Sequence, residues 1–166
     1  YLFKYVNVFN MKNIFKINPI IKLNILASIG AFACIFCLAY LNSHDPSIVW
    51  LIPPFGATMV LVMAVHESPL AQPKNIIFGH VLSALSGVII FALMGSSPLS
   101  LGIAVGLAVF VMASFNIIHP PAGANPIIAI LGGKGIAFVV MPVAIGAIFI
   151  VIFAMFYNRI IGRNYP

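Results

Sequence analysis

Along this chain the polar positions are bunched, and they cut the apolar sequence into a few long runs. Residues 25–41 form the first run, closed by Asn42, Ser43, His44, Asp45 and Pro46. A transmembrane helix needs about 20 mostly apolar residues, so this run is long enough for one. Residues 48–65 follow, with Pro53 and Pro54 inside them. Proline removes a helical donor and clashes with the preceding turn, so no regular helix is expected to continue through the pair. The stretch HESPLAQPKN, residues 66–75, reads as a polar loop. Residues 76–94, 99–118 and 136–157 are further long runs, the second carrying Gly102 and Gly106 at a spacing that permits close helix packing. Between the last two lies a second break, from His119 to Pro126, followed by the short run 127–131 and the turn Gly132, Gly133, Lys134, Gly135.

The two breaks match. Pro53, Pro54, Phe55, Gly56, Ala57 and Thr58 align with Pro120, Pro121, Ala122, Gly123, Ala124 and Asn125. Each motif is followed by aliphatic residues and stands between two longer runs. This predicts an all-α, polytopic transmembrane bundle of two pseudo-repeats, 21–94 and 99–160, each built as helix, broken segment, helix. Repeats with interrupted segments point to the binding site of a transporter.

Composition agrees with the pattern. Of 166 residues, 63% are hydrophobic and 6% charged, against about a quarter charged in soluble domains. A water-soluble fold of this size has nowhere to hide so much apolar surface. The net charge of +6 sits at the chain ends and in two loops, the pattern of membrane orientation and not of a nucleic-acid stripe. Six crossings with both termini cytoplasmic would put Lys4, Lys12, Lys16, Lys22, Lys74, Arg159 and Arg163 inside and Lys134 alone outside. Four crossings plus two re-entrant segments would put Lys74 and Lys134 both outside. The inverted three-plus-three arrangement is favoured, in a cell (inner) membrane; the short second segment keeps the four-crossing reading open. Residues 1–20 mix Lys with Phe, Tyr and Ile and are expected to lie at the membrane interface, before a single transmembrane domain over 21–160. The Lys-bearing start resembles a signal peptide, but no small-residue cleavage site follows the first run, so an uncleaved helix is expected.

Chemistry enters through the breaks. A helix that starts inside a membrane leaves its first N–H groups in need of partners, and its dipole favours negative charge there. Proline suits the first helical positions, Gly56 and Gly123 would permit close approach, and Thr58 and Asn125 stand where side chains would cap the helix or contact a ligand. Two facing anion sites near the midplane are one expectation; structural kinks are the other. His80 and His119 are the ionisable residues closest to the membrane core, where such groups are costly and usually functional; each would supply a donor or a proton to an anion, or simply a packing hydrogen bond. Asp45 and Glu67, the only acids, lie in loops, so no paired carboxylate is available for catalysis. Cys34 and Cys37 sit in an apolar run with no nearby His or carboxylate, which argues against redox and metal roles. No cofactor and no metal are expected.

The string HPPAGAN at 119–125 resembles the signature of the HPP family of integral membrane proteins, and residues 54–87 resemble that family's other strongly patterned region. The family pattern commonly ends in Thr where this chain has Asn125. Members are described as having four spanning helices, often with a CBS-domain fusion. The resemblance implies nitrite transport. Its motif positions here are 53–58, Ser68 to Pro73, His80, and 119–125. Transport of a small monovalent anion, nitrite first and with a proton-linked mechanism as a hypothesis, is therefore the expected function. The substrate-binding candidates are Pro53, Pro54, Phe55, Gly56, Ala57, Thr58, His80, His119, Pro120, Pro121, Ala122, Gly123, Ala124 and Asn125, chosen by the helix-start argument. The expected partners are that anion and the lipid bilayer, with a homo-oligomer compatible with both. The alternatives are a membrane scaffold or sensor subunit and, third, a membrane-embedded enzyme. The last lacks a nucleophile with a basic partner.

Overall fold

The computed structural model describes residues 18–166, so the interfacial segment expected over 1–20 lies outside the described residues except for its last three. Prolines mark where the helices begin. Helix α1 (Pro19–His44), α2 (Pro53–Ala64), a 3-10 turn (Pro69–Ala71), α3 (Pro73–Met94), α4 (Pro98–Ser114) and a second 3-10 segment (Pro120–Ala124) each open on proline; α5 (Asn125–Leu131) has Pro126 at its second position. A residue at a helix start has no intrahelical use for its N–H, and proline has none to leave unpaired. That matters most where water is scarce. The last helical stretch comprises α6 (Ile136–Phe138), a π-helical turn (Val139–Ala144) and α7 (Ile145–Ile160). The sequence reads as one run there; the structure bends it at Met141, whose φ of −132° and ψ of 120° are non-helical, next to Pro142.

The described residues form helices and no strand. Three helical stretches are long and apolar enough to cross a membrane: Pro19–His44, Pro73–Met94 and Ile136–Ile160. Large side chains such as Phe32, Phe36, Phe110, Ile152 and Phe156 are exposed around the outside, as lipid-facing positions should be. The shorter helices α2 and α5 pack inside this frame. Arg163 joins three helix ends: Nη1 donates to Met63 O (2.6 Å) and Nη2 to Leu23 O (3.2 Å). The start of α1, the end of α2 and the end of α7 therefore share one face. The loop after α1 and the Gly132–Gly135 turn share the other, around a hollow of about 520 Å³ that includes Ser47, Lys134 and Pro142.

Small residues set the close approaches, and not where the sequence spacing suggests. Gly102 and Gly106 are exposed, with open space where a Cβ would stand. The buried ridge of α4 is Ser100, Ala104, Ala108 and Met112. On α3 the small ridge is Gly79, Ser83 and Gly87, four residues apart and all buried. A Cβ on Gly87 would come within 2.5 Å of Pro126 Cα and 2.9 Å of Ala129 Cβ. The second motif lies directly against this ridge. Gly87→Val should therefore cost about 1–3 kcal/mol through overpacking, whereas Gly102→Ala should change stability by less than about 0.5 kcal/mol. Thermal unfolding of the purified variants in detergent micelles checks both.

Candidate functional site

Four elements bring polar side chains into the protein interior. Thr58 lies in the second turn of α2, His80 in the third turn of α3, His119 in extended backbone just before the second 3-10 segment (φ −137°, ψ 97°), and Asn125 at the start of α5. All four have 0% exposure, so the cluster is closed to solvent and lipid alike. Sequence spacing gives no hint that the four meet: His119 reaches Thr58 across 61 positions and Asn125 reaches His80 across 45.

The direction of every hydrogen bond follows from two backbone carbonyls, which can only accept. His119 Nδ1 lies 2.8 Å from Leu70 O and must carry its proton there. In the neutral ring Nε2 is then an acceptor, so Thr58 Oγ1 donates to it at 2.8 Å. Having given its one proton, Thr58 accepts from His80 Nε2–H at 2.9 Å. His80 Nδ1 is left as an acceptor and takes Asn125 Nδ2 at 3.0 Å. The other end agrees independently: His80 O accepts from the same Nδ2 at 3.0 Å, which fixes the Asn125 amide the same way round. In this neutral arrangement each donor of the four side chains is spent inside the protein. Asn125 Oδ1 is left without a partner.

Packing holds the rings in place. Phe55 meets His80 edge-on, with centroids 5.4 Å apart, and the two imidazoles lie 4.9 Å apart at 63°. The Phe55 ring fills the space beside Gly146 of α7, and His119 Cβ would lie 2.9 Å from a Cβ on Gly79. Gly79 stands as far beyond Pro53 as Gly146 stands beyond Pro120. Phe55 of the first motif thus packs on Gly146, and His119, just before the second, packs on Gly79. Ser83 Oγ donates to Ala122 O at 2.6 Å. Gly79, Ser83 and Gly146 are absent from the sequence-derived candidates. The spacing of small residues on α3 was the signal that points to the first two.

After each Pro-Pro pair the first available N–H is already taken: Phe55 N–H donates to Ile52 O and Ala122 N–H to His119 O, both at 3.0 Å. Thr58 is no cap either, since it sits in the second turn of its helix. His119, next to the second Pro-Pro pair, meets Thr58 in the second turn of α2. His80 lies about 10 Å along α3 from its start, a few ångströms short of the middle of a helix about 33 Å long. Pro54, Phe55, Pro121 and Ala122 are buried, Gly123 and Ala124 half-buried, and Pro53, Gly56, Ala57 and Pro120 exposed. Neither Gly56 nor Gly123 has protein atoms close to where a Cβ would stand.

Outside the bundle, the loop after α2 carries His66 and Glu67 beside Arg163. Burial first and then the Arg163 guanidinium hold His66 below the ordinary histidine pKa, while Glu67 pulls the other way. Tyr165 Oη donates to Ala71 O at 2.8 Å, and burial pushes its phenol pKa up. Cys34 is buried and Cys37 exposed, both free thiols. Among the described residues no three His, Cys, Asp or Glu side chains are grouped to hold a metal.

A family model described as "HPP, transmembrane region" matches residues 18–166. Two proteins of Dictyostelium discoideum, each named only as a transmembrane protein, are similar: one is 33% identical over 150 residues, covering 83% of this chain and 53% of the relative, and the other 31% identical, covering 83% and 48%. The chain spans about half the length of these relatives. No solved structure matches.

The network makes a stability prediction. Thr58→Val leaves His80 Nε2–H and His119 Nε2 without their partner and should lower stability by about 1–3 kcal/mol. Thr58→Ser keeps the hydroxyl and should recover most of that loss. Thermal unfolding of both variants in micelles reads the difference.

Proposed function

This chain belongs to the HPP transmembrane family, and from that premise we propose that it carries a small monovalent anion across the membrane, nitrite being the one the resemblance implies. The observation behind the reading is the closed cluster of Thr58, His80, His119 and Asn125, every member 0% exposed within an apolar helical protein. Burying two imidazoles in a bilayer is costly, and ionisable groups kept there usually mark a solute or proton pathway. A closed cluster fits the occluded state of a carrier. The reading includes no catalytic role and no cofactor.

The proposed topology is six crossings in two inverted halves. Helix α2, about 18 Å long, is preceded by residues 49–52 without regular structure, with Ile52 extended at φ −128° and ψ 149°. Together they match the hydrocarbon thickness of about 30 Å. The packing of Phe55 on Gly146 and of His119 on Gly79 supports the same repeat. Lys22, Lys74, Arg159 and Arg163 then fall on the face of the chain ends and Lys134 on the opposite face, which makes the first face cytoplasmic in a cell membrane.

Reconstituted into liposomes, the full-length protein should conduct nitrite at least tenfold above protein-free vesicles by stopped-flow uptake. His119→Ala should return flux to the protein-free level. An absence of flux for nitrite, nitrate, formate and chloride alike would overturn transport and favour a scaffold or sensor role.

A further inference from the structure

The cluster has a second complete hydrogen-bond arrangement, differing from the first by one proton. Besides the two imidazoles, Thr58 Oγ1 lies 3.2 Å from Pro54 O, four residues back along α2. In the neutral arrangement the hydroxyl proton points to His119 Nε2. If His119 gains a proton on Nε2, that nitrogen becomes a donor and Thr58 must accept from both rings. Its own proton then has one acceptor within reach, Pro54 O. Rotation about one side-chain bond converts one satisfied network into the other. His80 has no such freedom: its Nδ1 already faces the Asn125 amide, whose orientation His80 O fixes.

The neutral arrangement offers an anion nothing. Each donor of the four side chains is spent, and the one open valence, Asn125 Oδ1, is an acceptor. A proton on His119 Nε2 supplies a positive charge; its N–H is spent on Thr58, whose own proton turns to Pro54 O, so the charge is what an anion gains. The groups facing His119 are Thr58 from α2, His80 from α3 and the Leu70 carbonyl from the first 3-10 turn; Asn125 of α5 bonds only to His80. None carries a fixed charge. The charged side chains of the described residues sit in loops or at helix ends and make no bond to the cluster: Lys22, Asp45, Glu67, Lys74, Lys134, Arg159 and Arg163.

We propose that the cluster is a single-proton site, charged at His119 with Thr58 as its switch, and that it takes its anion only in the charged form, so that one proton and one monovalent anion move together. The one-for-one coupling rests on the transport reading above; the proton site does not.

Two measurements keep them apart. Ring 15N NMR of the full-length protein in nanodiscs, without added anion, should show His119 protonated on Nδ1 and His80 on Nε2 at alkaline pH. Acidification should convert only His119 to the doubly protonated form. Thr58→Val should abolish that conversion and Thr58→Ser restore it. Both rings in the Nε2–H form, protonation of His80 first, or an unaltered titration in Thr58→Val would overturn the proton site, whether or not the protein transports. In liposomes, nitrite uptake should follow an imposed pH gradient and ignore a potassium–valinomycin potential. Uptake driven by the potential would overturn the one-for-one coupling. A protein that titrates as described but moves no anion retains the proton site and loses both the coupling and the transport reading.

Discussion

One threonine hydroxyl, with a single proton to give, stands between two imidazoles in an apolar interior closed to solvent. That constraint orders the interior. In hydrocarbon each polar group must find its partner within the protein, and Thr58 satisfies both rings by donating to His119 Nε2 and accepting from His80 Nε2–H, with His119 protonated on Nδ1 and His80 on Nε2. Those forms are set by Leu70 O at one end and by the Asn125 amide, held by His80 O, at the other. The hydrogen bonds thus tie α2, α3, the first 3-10 turn, the extended segment before Pro120 and the start of α5 into one unit. Moving any of these elements exposes an unpaired buried group, at a cost comparable with a lost hydrogen bond or more.

The Pro-Pro-x-Gly-Ala motifs serve this arrangement indirectly. Proline at a helix start leaves no N–H to satisfy, and the first N–H that follows bonds back to the residue before the pair. The motif therefore lets a short helix begin inside the protein without a ligand, where helix-dipole reasoning from sequence expects an anion. The sixth position of each motif carries the polar chemistry. Thr58 and Asn125, aligned at the end of the two motifs, grip opposite nitrogens of the same His80 ring.

The sequence made much of the frame legible. The apolar runs, the breaks, their likeness to each other and the special status of His80 and His119 all follow from residue type and spacing, because lipid imposes long apolar helices and penalises buried imidazoles. What it concealed depends on three-dimensional approach. Gly102 and Gly106 display a packing spacing yet face open space, since α4 packs through Ala104 and Ala108 instead. Gly79 and Gly87, on the face of α3 that meets the second motif, hold the contacts that matter. The bend at Pro142 is hidden in a run whose hydropathy does not change. No local pattern shows that Thr58 would turn into the bundle to join two rings, because that contact is made by the tertiary fold.

The central claim is that Thr58 and His119 are energetically one unit. A double-mutant cycle with Thr58→Val and His119→Phe, read from unfolding free energies in detergent micelles, measures it directly. The account predicts that the two substitutions are not additive, with a coupling energy of about 1 kcal/mol. Additivity within about 0.3 kcal/mol would contradict it.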